Sequence, residues 1–358
     1  MRFIFKTNYD QDIRLFKHRD AVFWYSLLIV AVIAAPLVMD RYLLSQAAFV
    51  FIYAIAGVGL MLLSGYTGQI SLGHAAFFAV GSYTQAILVA KGVPFLVSLP
   101  AAGILAGLTG VIIGLPALRL AGIYLAIATL AFAFIVEEIL ARWESVTNGT
   151  LGILVDPVTI AGVELYEEWQ IYYLCLAVLV LVLLAAINIL RSPTGRAMIA
   201  IKDSEIAAQS MGVNLARYKT VAFAISAAFT GIAGALYAHR LGYISPESYT
   251  VLLSVEFLLM IVVGGLGSLH GAVFGAIFVI MLPQAVAVLK EYMPSQIANQ
   301  TGIDLGVFGL VIVLFMLYEP AGIYGRWLKI KHYFSTFPMY RKATFKRQKS
   351  YAKSDRLR

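Results

Sequence analysis

Residues 42–63 read YLLSQAAFVFIYAIAGVGLMLL, a stretch without a single charged residue. An α-helix of that length reaches about 33 Å, enough to cross the ~30 Å hydrocarbon core of a bilayer. Moving outward in both directions, the same reading finds ten such runs, at 21–39, 42–63, 70–90, 95–117, 120–140, 171–190, 220–239, 251–266, 269–289 and 305–324. The whole chain is 61% apolar and 13% charged. Soluble domains carry roughly 45–50% and about 25%, because a water-facing core needs a polar coat. The expectation is an all-α, polytopic integral membrane protein with about ten transmembrane helices. The first run has nineteen residues, against the usual 7–15 of a signal h-region, and a second span follows at once. It reads as a retained helix.

Charge placement sets the orientation. With ten spans and a cytoplasmic N-terminus, residues 1–20, Arg119, the 191–219 loop and the tail from 326 hold 22 Lys or Arg, against 5 on the other side. The positive-inside rule then puts both termini in the cytoplasm. The domain reading is a cytoplasmic N-terminus (1–20), a transmembrane domain (21–324) with an external loop (141–170) and a cytoplasmic loop (191–219), and a basic cytoplasmic tail (325–358). That tail shows little apolar periodicity and reads as an unstructured anchor near anionic lipid. The net charge of +8 is therefore a matter of topology, and no nucleic-acid partner is expected.

Chemistry on the chain is sparse. Cys175 is the single cysteine, and the five histidines are scattered, so neither a disulfide framework nor a metal cluster is expected. There is no G-x-x-x-x-G-K-[ST] phosphate cradle and no hydrolase signature. Any energy source is then a gradient or a separate subunit, and the chain does not read as an enzyme. Asn148-Gly149-Thr150 matches a glycosylation acceptor and carries little weight.

The 191–219 loop reads as two short helices. Ser192 and Pro193 suit the cap and first position of one; Asp203 suits the cap of another, ending at Gly212. Helices this short are marginal alone, so the loop should dock on its own membrane domain or a cytoplasmic partner. In the spans, Gly122, Ala126, Thr129 and Ala133 form a small-residue stripe that continues to Glu137, and Ala227, Gly231 and Ala235 form another. Both read as packing seams. Glu256 lies inside a span, where a charge needs a partner or a wet cavity.

Two Gly-rich breaks, SGYTGQISLGH (64–74) and GGLGSLHG (264–271), align at an offset of 197. Ser71, Leu72, Ala75, Phe77 and Ala79 match Ser268, Leu269, Ala272, Phe274 and Ala276, with Gly73-His74 inverted to His270-Gly271. Such breaks at corresponding points of two halves often mark a transport path. The polar candidates for its lining are Gln69, Ser71, His74, Glu256, Ser268 and His270.

At these residues the chain resembles the permease subunits of ABC importers for branched-chain amino acids, of the LivM type. The carrying stretches are GYTGQISLGHAAFFAVGSY (65–83), LPALRLAGIYLAIATLAFAFI (115–135), TNGTLGI (147–153), SPTGRAMIAIKDSEIAAQSMGVNLARYKTVAFAISAAFTGIAGALYAH (192–239) and VVGGLGSLHGAVFGAIF (262–278). The resemblance implies a channel half in the bacterial inner membrane, paired with a second, LivH-like permease. It also implies two cytoplasmic ATPases of the LivG and LivF type, which hold the ATP and Mg, and a periplasmic substrate-binding protein. No cofactor is implied on this chain. It makes 192–219 the ATPase-coupling segment, with Gly195, Arg196, Asp203, Glu205, Ala207 and Gly212 as the residues carried over. The alternative from another class is an ion-coupled secondary transporter of small polar solutes, with Glu256 or Glu137 as its coupling carboxylate.

Overall fold

The computed structural model describes residues 19–117, 120, 122–160, 162–291, 303–319 and 321–336. Residues 1–18, Arg119, the 292–302 link and the end of the tail lie outside the described residues, and with them much of the charge behind the orientation argument.

The chain is helical nearly throughout. In order it forms α1 (Arg19–Ala34), α2 (Arg41–Leu60), α3 (His74–Ala90), α4 (Phe95–Ala117), α5 (Ile123–Arg142) and a single turn α6 (Glu144–Thr147). There follow α7 (Glu168–Arg191), α8 (Pro193–Asp203), α9 (Glu205–Ser210), α10 (Leu215–Leu241), α11 (Val251–Gly264), α12 (Leu269–Glu291), α13 (Ile303–Tyr318) and α14 (Gly322–Thr336). Seven helices of the described residues are long and apolar enough to cross a membrane, and α1 and α3 are shorter apolar helices. Each expected span has a helix in it. The third begins at His74 instead of 70, because residues 67–73 form the first break. The tenth ends at Tyr318, and the chain restarts as α14.

The sequence explains where helices begin. Glu167 and Gln170 form a reciprocal capping box at α7, and the Asn214 side chain accepts the Arg217 N–H at α10 (3.0 Å). Helix α10 runs 27 residues without a proline and is packed between α3 and α4, with α2 alongside. Their backbones cross without room for side chains: a Cβ on Gly81 would sit 2.1 Å from the Gly231 carbonyl oxygen, and one on Gly234 would sit 2.0 Å from that of Phe78. Ala227 and Ala235 are buried on the same helix, as the stripe predicts. In the α5 stripe, Ala126, Thr129 and Ala133 are buried. Gly122 is not part of that seam; it precedes α5 at φ 58°, with nothing within 4 Å of where its Cβ would be. Glu137 is half-buried.

Outside this centre the surface is apolar. Leu27, Leu28 and Val30 of α1, Ile104, Leu108 and Ile112 of α4, and Leu181 and Leu184 of α7 are exposed. A bilayer makes such a surface stable, since the helices satisfy their own backbone groups.

One end of the bundle carries the 141–170 loop. There β1 (Ile153–Leu154) pairs antiparallel with β4 (Tyr243–Ile244), and β2 (Thr159–Ile160) pairs with β3 (Val163–Glu164). Asn148 takes a left-handed conformation (φ 60°) and donates its side-chain amide to the Gly152 carbonyl at 3.0 Å. The glycosylation-like tripeptide is thus used as a turn.

Candidate coupling loop and helix breaks

The opposite end of α10 carries the two-helix loop. Ser192 Oγ accepts the Gly195 N–H, with Pro193 at the first helical position, so α8 starts as the sequence reading places it. Gly195 packs directly on the end of α7: a Cβ there would lie 2.4 Å from the Ile189 carbonyl oxygen. The second cap is corrected. Asp203 is the last residue of α8, and Ser204 caps α9 by accepting the Ala207 N–H at 3.3 Å. Gly212 ends α9 at φ 84°, with the Val213 N–H returning to the Ala208 carbonyl, a glycine C-cap.

The loop is held from its own side. Ala197, Met198 and Ile201 of α8 and Ala208 of α9 are buried. Lys219, only 5% exposed, reaches both carboxylate oxygens of Glu205 at 2.7 and 2.8 Å. Glu205 therefore fastens α9 to α10, a role the sequence reading did not give it. Removing it strands a nearly buried ammonium. The usual cost of about 3–5 kcal/mol for a fully buried pair shrinks here to about 2 kcal/mol, because the carboxylate is half exposed. We expect Glu205→Ala to lower the unfolding midpoint in detergent, and Glu205→Gln with Lys219→Met to recover most of the loss.

Arg196, Asp203 and Ala207 are exposed, and Arg196 also donates to the Arg191 carbonyl at 3.1 Å. At the tip, Ile206 and Met211 are each 84% exposed. Beside them lies an open cleft of about 500 Å³ lined by Glu205, Gln209, Gly212, Asn214, Ala216 and Lys219.

The two Gly-rich breaks meet at this same end. Helix α2 loosens into a π turn over Met61–Tyr66, leaving carbonyls that need donors. Thr67 Oγ1 donates to Leu62 (2.9 Å), the Gln69 N–H to Leu63 (3.2 Å), and Lys202 Nζ, from the end of α8, to Gly65 (2.7 Å). The second break closes against the first, with the Gly267 N–H on Met61 Sδ at 3.2 Å.

The candidate lining residues separate into several environments. His74 is fully buried, its Nδ1 3.0 Å from Ser71 Oγ and its Nε2 2.7 Å from Ser226 Oγ. Ser254 Oγ accepts the Ala75 N–H at 2.8 Å. His270 instead lies at the surface, 2.8 Å from Tyr25 Oη and stacked on Tyr324. Ser268 is buried and accepts the Gly271 N–H at 3.4 Å. Gln69 is buried with neither polar atom of its amide hydrogen-bonded. Glu256 is half-buried within electrostatic reach of Tyr53 and Tyr237, two turns before the second break on α11. The structure joins the breaks, but not the six side chains into one site.

Sequence reasoning placed Ile206 on one face of the second loop helix with Ala207 and Ser210, but missed Lys202, Lys219 and Met211 as residues defining this end. It also missed α14, whose start packs on the second break: a Cβ on Gly322 would fall 2.6 Å from Gly265 Cα. Residues 322–336 are thus helix and not an unstructured tail. Lys329 and Arg326 bridge back to Glu319, the hydrogen bond from Lys329 first among the effects that hold its carboxyl below the usual range. That link holds at neutral pH and loosens as pH falls through the lowered value.

A multi-pass helical bundle with an apolar girdle and a structured polar loop at one end marks an integral membrane protein. Residues 42–316 match the family described as the permease component of branched-chain amino acid transport systems, and the chain belongs to that family. It is 35% identical over 330 residues to the high-affinity branched-chain amino acid transport system permease protein LivM of Escherichia coli strain K12, across 85% of this chain and 75% of that one. A probable LivM permease of Methanocaldococcus jannaschii is 25% identical over 228 residues, 62% of this chain and 66% of that one. The LivH permease of Salmonella typhimurium strain LT2 is 27% identical over 297 residues, 76% of this chain and 91% of that one. No solved structure matches the chain. The chain is a permease subunit of a bacterial ABC importer, and not itself an ATPase.

Proposed function

We propose that this chain forms one half of an inner-membrane channel that carries branched-chain amino acids, or a related small polar solute, inward at the expense of ATP. The observation that carries the reading is the α8–α9 loop, rigidly mounted on α7 and α10 yet ending in two exposed apolar side chains, Ile206 and Met211. A fixed loop with an uncovered apolar tip suits docking on another protein. We assign that role to two cytoplasmic ATPases acting on this chain and a second, LivH-like permease, with a periplasmic binding protein delivering substrate. Ten spans with both ends cytoplasmic fit the helix order, with α13 as the tenth. Arg196 is exposed at the other end of α8, and Asp203 and Ala207 are exposed next to the docking tip. Gly195 and Gly212 shape it, and Glu205 holds it. The exposed Trp327, Leu328, Ile330 and Phe334 of α14, among its lysines, suit a membrane surface.

In this scheme ATP draws the ATPases together, the loop moves with them, and the bundle opens alternately to either side. Gln69, Ser71, His74, Ser268, His270 and Glu256 supply the polar groups that a zwitterion passes, Gln69 with its hydrogen-bonding capacity unused. Tagged chain extracted from native membranes should bring down a second permease and P-loop ATPases, and lose the ATPases on Asp203→Arg. Recovery of the chain alone, under conditions that preserve other complexes, overturns the reading. Uptake of labelled leucine should fall when isoleucine and valine compete; indifference to them removes the substrate assignment.

The two break histidines should differ. His74→Ala leaves the buried Ser226 hydroxyl without its imidazole partner, at about 1–3 kcal/mol, and Ser71 with the Gly73 N–H alone, and should cost both thermal stability and transport. His270→Ala should change thermal stability little. Transport unchanged in both variants would remove the breaks from the pathway.

A further inference from the structure

We infer that Lys202 is a positioning residue that ties the coupling loop to both helix breaks, so that motion of α8–α9 is passed directly to the non-helical backbone at the end of α2. The inference rests on the coupling-loop reading above and adds the route by which the loop acts. Three observations carry it. The ammonium of Lys202 donates to the Gly65 carbonyl at 2.7 Å, across 137 positions of sequence. That carbonyl is one that the π turn leaves without an intrahelical donor, at the negative end of a helix, where a cation is favoured. The stem of the same side chain lies along Gly68: a Cβ on that glycine would be 3.4 Å from Lys202 Cγ and 3.6 Å from Lys202 Cβ. A Cβ on Gly267 would meet Lys202 Nζ at 3.4 Å and the Gly65 oxygen at 3.6 Å, so the second break lies against the same ammonium.

The rest of α8 makes the tie directional. Its buried face (Ala197, Met198, Ile201) and its start against α7 fix the helix axis. Displacement of the loop therefore moves Lys202 with it. The breaks are where the bundle can yield, since their backbone is not braced by helix hydrogen bonds. Lys202 is itself solvent-exposed over much of its surface, so the tie adds little to the stability of the resting bundle. Its effect belongs to the coupling of the two motions.

The test uses the complete transporter, this chain with its co-purified partners, reconstituted in vesicles, and reads ATP hydrolysed and solute imported in parallel. Lys202→Met should retain most ATP hydrolysis while import per ATP falls at least five-fold, and Lys202→Arg should restore the ratio. A wild-type ratio in Lys202→Met overturns the inference. So does a parallel fall in both activities that Lys202→Arg does not rescue, which marks a structural residue. Should Lys202→Met not assemble, the double variant Gly68→Cys with Lys202→Cys replaces the tie by a disulfide. Import per ATP should then be near wild type when oxidised and at least five-fold lower after reduction; equal ratios in both states overturn the tie. Failure of the wild-type chain to recover any ATPase is a separate result, and it defeats the coupling-loop reading on which the inference stands.

Discussion

Gly81→Val should eliminate the folded chain from the membrane. At that position α3 and α10 touch backbone to backbone, and a Cβ on Gly81 would be 2.1 Å from the Gly231 oxygen and 2.5 Å from its Cα. Overpacking a core usually costs about 1–3 kcal/mol because side chains can shift. Here the obstacle is main chain within a helix that is itself wedged against α4, where a Cβ on Gly231 would meet Ala106 Cβ at 2.3 Å. Neither helix can retreat without unpacking the other side, so the penalty exceeds that range. In lipid no hydrophobic force drives helix to helix, and small residues at crossings let backbones approach closely enough for van der Waals packing to hold them. The check is size-exclusion chromatography of a fluorescently tagged chain after mild detergent extraction, with Gly306→Ala as the control. Gly306 is exposed with open space around it, and that variant should elute as wild type. A monodisperse Gly81→Val peak of wild-type height would mean that the crossing is not as close as described.

The second large effect is expected at the loop tip. Ile206→Asp with Met211→Asp should abolish recovery of the ATPases with the tagged chain while leaving its own detergent stability within about 0.5 kcal/mol, the usual range for exposed substitutions. Both side chains are 84% exposed, so little packing within the chain is lost. Each removes apolar surface that docking would bury, and a buried side chain of this size contributes about 1.5–3 kcal/mol. Placing two carboxylates in that interface adds their desolvation. Affinity should drop by more than a hundred-fold, measurable by co-purification across a dilution series. Unchanged recovery would place the docking surface elsewhere on the loop. This pair isolates docking better than any change at Glu205, whose loss also loosens α9 from α10.

The apolar helices were readable because a bilayer imposes a length and a composition that no water-facing helix needs. The caps at Ser192 and Gly212 were readable because each uses local chemistry. Ser204 was not, since Asp203 beside it has the same capping ability and only the backbone course separates them. Lys202 and Lys219 both make long-range contacts at this end of the bundle, yet in sequence they are two more positive charges in a polar loop. Nothing local distinguishes a lysine that marks topology from one that meets a carbonyl 137 positions away. The available signal was at the other partner: a span ending in SGYTG exposes carbonyls, and an unpaired carbonyl asks for a donor. Helix α14 was obscured by averaging. Ile323, Trp327, Ile330 and Phe334 recur at helical spacing, but only before the chain turns uniformly basic.

Helix α10 is fastened at both extremities. At one, Lys219 grips Glu205 of the α8–α9 loop. At the other, His239 lies between Gln85 and the Asp156 carbonyl, both at 2.9 Å, and β4 follows at once in its pairing with β1. Between these anchors stand 27 residues of unbroken helix, about 40 Å of hydrogen-bonded rod. A rod of this kind tilts, slides or turns, but it does not shorten. Displacement of its lower anchor along its axis must therefore appear at the upper one, and the two faces of the membrane are geared to each other by a single piece of secondary structure.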